Sequence, residues 1–397
     1  MKFAHLSDIH IGGWREPKLR DASTIAFCRA MEMCIAERVD FVLISGDLFN
    51  TSMPPMDHLR EAVGALRRAR EAGIPAYSIP GSHDFSPSGK TMLDVLETAG
   101  LLIGVARGSF VEGKLRLEPV VDARTGITLV GMMGKKGGLE KHYYPALDYA
   151  HLESLPSPKI FLFHSAITEL KPKDLADMDA LSASYLPEGF DYYAGGHVHV
   201  VDVANLDGRK NVVFPGPLFP NSFSELEKLR TGGFVIVDDW KPRHIPVVVH
   251  PHLGIVVDCH NRPASEIEGL ITSCIDGTSL SSHVVTLRLR GELSNGRLSD
   301  IPWRQIIDRI MAQGAYAILR NTNELRTPEI EHVNVQTGNL DEIEHRVITE
   351  NLGRIKHYTP DEERSVIGNL MTLLSSEKHE GETQAAFEKR IIDDARL

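Results

Sequence analysis

Short apolar runs separated by polar, ligand-rich breaks set the pattern of this chain. Lys2–Ser7, Phe41–Ser45 and Ala76–Ile79 are β-type runs, and between them lie two stretches in which apolar and charged residues mix, about Asp21–Arg38, where Gly and Pro are absent, and Asp57–Glu71. The pattern predicts β-α-β-α-β, the start of a parallel sheet with helices over its faces. A further helix is expected near Lys90–Thr98. Ser109–His250 then reads mainly as strands, with one helix near Leu139–Leu155. Near His250 the periodicity changes. Strands at Gly254–Asp258, His283–Arg290 and Tyr316–Leu319 alternate with helices at Ala264–Ser273 and Pro302–Gln313, a small α+β unit. The last segment is charge-rich, and in Asp361–Lys378 the residues Val366, Ile367, Leu370, Met371 and Leu374 recur on one helical face.

Each of the apolar runs in the first part ends in residues able to hold a metal. The first breaks into Asp8-x-His10, and side chains two apart in extended backbone share a face. The later ones end at Asp47, at Ser82-His83-Asp84, at His164 and at His197-x-His199. Strand ends that carry ligands match the usual location of sites in open α/β sheets.

This ordered series, Asp-x-His, Gly-Asp, Gly-Ser-His-Asp, His and Gly-His-x-His, resembles the signature of calcineurin-like metallophosphoesterases over about residues 1–250. The stretches around Asp8, around Asp47 and at 214–223 are similar to the SbcD-type nuclease subunits of DNA double-strand-break repair, in a compact archaeal-like form. The resemblance implies a four-layer α/β/β/α sandwich. The organisation expected is a metallophosphoesterase (nuclease) domain at 1–250, an α+β DNA-capping domain at 251–337 and a helical tail at 338–397. It also implies two divalent ions. Asp8, His10 and His199 would hold one, Ser82, His164 and His197 the other, with Asp47 between them. Mixed imidazole and carboxylate donors suit manganese, with iron or zinc also compatible. Two ions about 3.5–4 Å apart can stabilise both the attacking and leaving oxygens of a phosphodiester. His83 is expected to donate to a phosphate oxygen rather than to bind metal, with Asp84 orienting it.

Two departures from the family pattern matter. Ser82 stands where the family has Asn, so its shorter hydroxyl reaches an ion directly or through water, and a weaker second ion is expected. Asn50 stands where some family nucleases carry a histidine used at DNA ends.

The resemblance further implies DNA ends as substrate, 3′-to-5′ exonuclease and single-strand endonuclease activity, and docking of the tail on an SbcC-type ABC ATPase. From pattern alone the tail helix either packs back or docks a partner. Met92, Leu93 and Val95 with Leu59, Val63 and Leu66 form either a homodimer face or plain core. Arg15, Lys18, Arg20, Asn50, Arg288 and Arg290 are the candidate DNA contacts; exposed polar faces are the alternative for the basic ones. Two other functions remain open: a DNA-end scaffold with a degraded metal site, and a phosphatase of the same fold.

Composition narrows this little. At 397 residues the chain exceeds one ordinary core. A net charge of −11 argues against a generic nucleic-acid binder, but two divalent cations would reverse the sign of the field at the site. Lys135 and Lys136 add local positive charge beside a glycine-flanked loop. No run approaches the roughly 20 apolar residues of a membrane span, and Met1-Lys2-Phe3 leads into the Asp8 strand without a signal-peptide pattern. Cys28, Cys34, Cys259 and Cys274 show no CxxC pairing, which suits buried thiols in a reducing, cytoplasmic setting.

Overall fold

The structure is a computed structural model and describes residues 1–86, 90–172, 175, 178–327, 359–374 and 384–395. The chain begins β1 (Lys2–Leu6), α1 (Ala22–Ala36), β2 (Phe41–Ser45), α2 (Met56–Glu71), β3 (Ala76–Ile79), α3 (Met92–Thr98) and β4 (Ile103–Gly104). A hairpin of β5 (Gly108–Val111) and β6 (Lys114–Leu117) follows, then β7 (Val120–Val121), β8 (Thr128–Met132), α4 (Tyr149–Ser154), β9 (Lys159–Phe163) and β10 (Tyr192–Ala194). Next come β11 (Val201–Leu206), β12 (Arg209–Pro215), α5 (Phe223–Leu229), β13 (Gly232–Asp238) and β14 (Lys241–Val247).

These strands form two six-stranded sheets, in the orders β14-β13-β1-β2-β3-β4 and β11-β12-β10-β9-β8-β7. Alternation along each strand explains why they stack. In β1 and β2, Phe3, Phe41 and Leu43 point to the layer shared with Leu129, Ile160, Leu162 and Tyr192 of the other sheet. The intervening Ala4, Leu6, Val42 and Ile44 point outward to α1 and α2. The second sheet covers its own outer face with Tyr144, Leu147 and Leu152. The result is the expected α/β/β/α sandwich, with apolar side chains on both faces of the parallel strands.

The helix expected at Leu139–Leu155 is instead a 3₁₀ run over Lys136–Ala146 followed by the six-residue α4. Gly137 and Gly138 take left-handed φ values of 71° and 68°, and Pro145 lies inside the run, so a continuous α-helix cannot form.

The α+β segment comprises β15 (His252–Asp258), α6 (Ile267–Ile275), β16 (Val284–Glu292), α7 (Trp303–Ala312) and β17 (Ala317–Arg326), with parallel order β15-β16-β17. It has its own core of Ile267, Ile271, Leu287, Leu289 and Ile306. Residues 1–327 cluster as one compact unit. Val284 and Ala317 join the core that covers α1 and α2, and Arg288 of β16 pairs with Glu227 of α5. The second compact unit is Pro328–Leu397. Its described parts are two helices that pack on one another, α8 (Pro360–Leu374) and α9 (Gln384–Ala395), and in α8 the residues Val366, Ile367, Leu370 and Met371 are half-buried. The remainder of the tail lies outside the described residues.

Of the two alternatives for the α2 and α3 face, core accounts for Leu59, Leu66 and Leu93, which are buried, whereas Val95 and Met56 are exposed. No described helix is long and apolar enough to cross a membrane.

Candidate metal centre

Five parallel strands end at one place. Asp8 and His10 follow β1, Asp47 follows β2, Ser82 and His83 follow β3, His164 follows β9, and His197 and His199 follow β10. The loops after β1 and β2 zip together: Ile9 and His10 donate their backbone N–H to the Asp47 carbonyl at 2.9 and 3.0 Å, and Ile11 donates to Leu48. Asp8, His10, Asp47, His197 and His199 all have left-handed backbone, with φ of 50°, 46°, 54°, 98° and 50°. Such conformations cost an L residue of order 1–3 kcal/mol and persist where surrounding structure holds them.

Three donor groups converge among the described residues, each with ligand atoms within 4.8 Å of one another: Asp8, His10 and His199; His10, Asp47 and His83; and Asp8, Asp47 and His164. The first is the set expected for one ion. In the others, Asp47 stands between the clusters, with His164 Nε2 3.2 Å and His10 Nε2 3.6 Å from its Oδ2. His197 lies beside His164, ring centroids 5.1 Å apart, and its backbone N–H donates to Asp8 at 2.9 Å. Ser82 turns its hydroxyl to Asp47 Oδ2 at 3.3 Å. His83 stands edge-on to His10, with centroids 4.7 Å apart, so it sits closer to the donor clusters than the sequence implied.

The imidazoles are aimed by their other nitrogens. His164 Nδ1 donates to the Ser45 carbonyl at 2.8 Å, and its Nε2 faces Asp47. Gly46, with φ 90°, and Gly196 press against that ring so closely that a Cβ on either would lie 2.2 or 2.8 Å from Nδ1. His199 Nδ1 lies 3.2 Å from Glu225 Oε1, and the carboxylate fixes which nitrogen it presents, as outer partners of metal histidines do. His10 Nε2 and His199 Nε2 are then only 3.0 Å apart. Two imidazole nitrogens held this close beside Asp8 and Asp47 suit a shared cation, and buried His10 Nδ1 has no hydrogen-bond partner among the described residues. The donor set therefore fits divalent ions.

Electrostatics points the same way. Burial alone would raise Asp47, yet His164 and His10 beside it hold its carboxyl far below the usual range. Burial opposes the charging of His164 and His199, but Asp47 and Asp8, with Glu225 at His199, push both imidazoles up. Burial keeps His10 and His197 down, with His164 adding to the effect on His197. The acidic centre draws positive charge into itself.

One expected role is corrected. Asp84 does not orient His83. Its carboxylate accepts from the backbone N–H of Gly81, Leu48 and Phe49 at 3.1, 3.2 and 3.0 Å, tying the loops after β2 and β3. Its buried position and the neighbouring Asp47 push it up to about 6. His83 is oriented by the Asn50 carbonyl, 2.9 Å from Nδ1. Asn50 thus serves through its backbone. The sequence reading also missed Glu225, whose signal is Ser222-x-x-Glu225: the Ser222 hydroxyl accepts from Glu225 N at 3.2 Å and caps α5.

Ser82, His83, Asn50, Lys136 and Lys141 line a cleft of 930 Å³ beside the centre. Of the candidate DNA contacts, Arg15 and Arg290 are exposed. Lys18 lies against Met311 Sδ at 3.7 Å and Arg20 pairs with Asp57 at 2.7 Å. Arg288 is not available to phosphate, because Glu227 and Glu324 hold its guanidinium.

Three relatives are each described as "DNA double-strand break repair protein Mre11". The one from Archaeoglobus fulgidus is 25% identical over 92% of this chain and 88% of its own length. Those from Methanococcus maripaludis and Sulfurisphaera tokodaii are 28% and 30% identical over 59% and 53% of this chain, and over only 61% and 52% of their own lengths. The family model for calcineurin-like phosphoesterases matches residues 1–201, more than half of the 397. The candidate strand-end ligands thus fall within the matched residues, and the chain belongs to the calcineurin-like phosphoesterases.

Proposed function

We propose that this chain is a manganese-dependent DNA nuclease acting on double-strand-break ends, with 3′-to-5′ exonuclease and single-strand endonuclease activity, as a homodimer beside an SbcC-type ABC ATPase. The observation that carries the reading is the convergence of Asp8, His10 and His199 with Asp47 and His164 at the ends of parallel strands from two sheets. The repair proteins to which the chain is similar support DNA as the substrate.

When bound, two divalent ions supply positive charge to the attacking and leaving oxygens of a phosphodiester and ease deprotonation of the attacking water. Asp8, His10 and His199 would hold one ion, and His164, His197 and Ser82 the other, with Asp47 available to both. The chain does the positioning. Asp84 locks the two loops that carry Asp47 and Ser82, so the carboxylate and hydroxyl keep their places as substrate enters. The Asn50 carbonyl accepts from His83 Nδ1–H, so it is the doubly protonated imidazolium that can donate from Nε2 to the departing oxygen. Lys136 places positive charge along the cleft for the strand's phosphates, whereas Lys141 there is paired with Asp179.

The test is degradation of an end-labelled duplex by purified protein with manganese, beside Asp47→Ala and His83→Ala. Cleavage by the parent and loss in both variants supports the reading. A parent protein that binds metal and DNA but cleaves neither duplex nor single strands refutes it in favour of a tethering scaffold; turnover of a simple phosphomonoester alone refutes it in favour of a phosphatase.

A further inference from the structure

Helix α5 carries two carboxylates on opposite sides, as residues two apart on a helix do. Glu225 meets His199 Nδ1 at 3.2 Å and accepts from Asn221 N at 2.8 Å. Glu227 is gripped by Arg288 of β16, with Nε 3.0 and 3.2 Å from its two oxygens and Nη2 2.6 Å from Oε2. The same guanidinium lies 5.2 Å from the ring centroid of Phe223, the first residue of α5. Its Nη1 goes to Glu324 of β17. The Arg288 and Glu227 side chains are 17% and 19% exposed, so solvent screens them incompletely.

A seven-residue helix cannot hold itself in water. Its position follows from what holds its faces: Leu226 in the core, the Ser222 cap at its start, and Arg288 from the α+β segment. The bidentate, planar fork of Arg fixes orientation as well as distance.

We infer that Arg288 is a positioning residue for the metal centre: through Glu227 and α5 it sets the Glu225 carboxylate against His199, so the α+β segment governs how firmly the ion at Asp8, His10 and His199 is held. This rests on the metal-centre reading above. A ligand that shifts β16 against α5 would therefore change ion affinity without touching any ligand residue.

The experiment is calorimetric titration of metal-stripped full-length protein with manganese, with thermal melting of every variant. Loss of an outer partner of a metal ligand typically weakens binding by about 10–100-fold. Glu225→Gln should weaken one of two ions by about that much, and Arg288→Met and Glu227→Gln should weaken the same ion by about 10-fold. In the double variant Arg288→Met/Glu225→Gln, affinity should equal that of Glu225→Gln alone, because both act through one carboxylate. Glu324→Gln removes a partner of Arg288 that does not touch α5 and should leave both ions as in the parent.

A lowered melting temperature with unchanged ion binding in Arg288→Met makes the residue a mere tie between segments and overturns the inference, as do single-variant effects that multiply in the double variant. If Arg288→Met fails to fold, Arg288→Lys and Glu227→Gln carry the same cycle with Glu225→Gln. A parent protein that takes up fewer than two ions overturns the dimetal reading itself. Two ions in the parent without the coupling overturn the inference alone.

Discussion

Replacing Gly46 with alanine sets one methyl group against the ring of His164. The added Cβ would lie 2.2 Å from Nδ1, 2.7 Å from Cγ and 2.9 Å from the Gly81 Cα, where ordinary contact begins at 3.4 Å. His164 cannot step aside without leaving the Ser45 carbonyl at 2.8 Å, and Gly134 closes on Cδ2 of the ring while Gly196 closes on Nδ1. A left-handed L residue costs about 1–2 kcal/mol. A buried nitrogen left without its partner adds about 1–3 kcal/mol. The sum of about 2–5 kcal/mol is a large part of the 5–15 kcal/mol that holds a typical native state. Gly73→Ala is the control, since Gly73 has φ 77° but nothing within 4 Å of its added Cβ. It should lose only the backbone contribution, about 1–2 kcal/mol. Urea unfolding of metal-free protein, followed by circular dichroism, measures both, and manganese titration counts the ions. Gly46→Ala should unfold well before Gly73→Ala and lose the ion that His164 holds. Equal midpoints with two ions retained would refute the wedged-ring argument.

Four further outcomes follow from buried groups. His5 is wholly buried, bonded through Nδ1 to Tyr192 Oη at 3.0 Å, and burial lowers it to about 3; the unfolded chain takes up a proton near pH 6.5 that the folded one refuses, so stability should fall as pH drops below 6.5, by about 1.4 kcal/mol per unit from this residue. Urea midpoints at pH 5 and 7 should show His5→Gln with a flatter dependence. Burial pushes the Cys34 thiol up to about 12, whereas Cys274 is exposed; alkylation of native protein at pH 8, read by peptide mass, should mark Cys274 and spare Cys34. Lys159 is buried and donates to the Leu152 and Glu153 carbonyls at 3.1 and 2.7 Å; Lys159→Met should cost about 1–3 kcal/mol in chemical denaturation by stranding those acceptors. Phe3→Ala opens the layer between the sheets, where Phe3 stacks on Phe41 at 5.0 Å, and should cost about 3–5 kcal/mol by the same measurement.

The strands and long helices were legible because burial on both faces of a parallel strand leaves an unbroken apolar run, as in Phe41–Ser45, and because α2 alternates its faces at helical spacing. Candidate ligands at strand ends could be picked out for the same reason: the end of the run marks the position. What could not be read depends on loop backbone and on distant pairing. Asp84 is beside His83 in sequence, but its three acceptor bonds go to N–H groups that meet only when two loops fold together. Arg288 reads as an exposed strand cation until Glu227, 61 residues away, comes beside it. Helix α5 is too short for periodicity to reveal, and with it went Glu225, although its capping pair stood in the sequence.

The five left-handed ligand residues have a consequence for how such a sequence changes over generations. Asp8, His10, Asp47, His197 and His199 hold backbone shapes that glycine would adopt with less strain. Substituting glycine there relieves that strain and offsets part of the cost of the lost side-chain bonds, such as the His197 N–H on Asp8, so metal binding should be lost with a smaller fall in melting temperature than the lost bonds alone would give. Under relaxed selection, folding would offer these positions little protection. A lineage that stopped needing the chemistry would keep the sandwich and lose the ligands first.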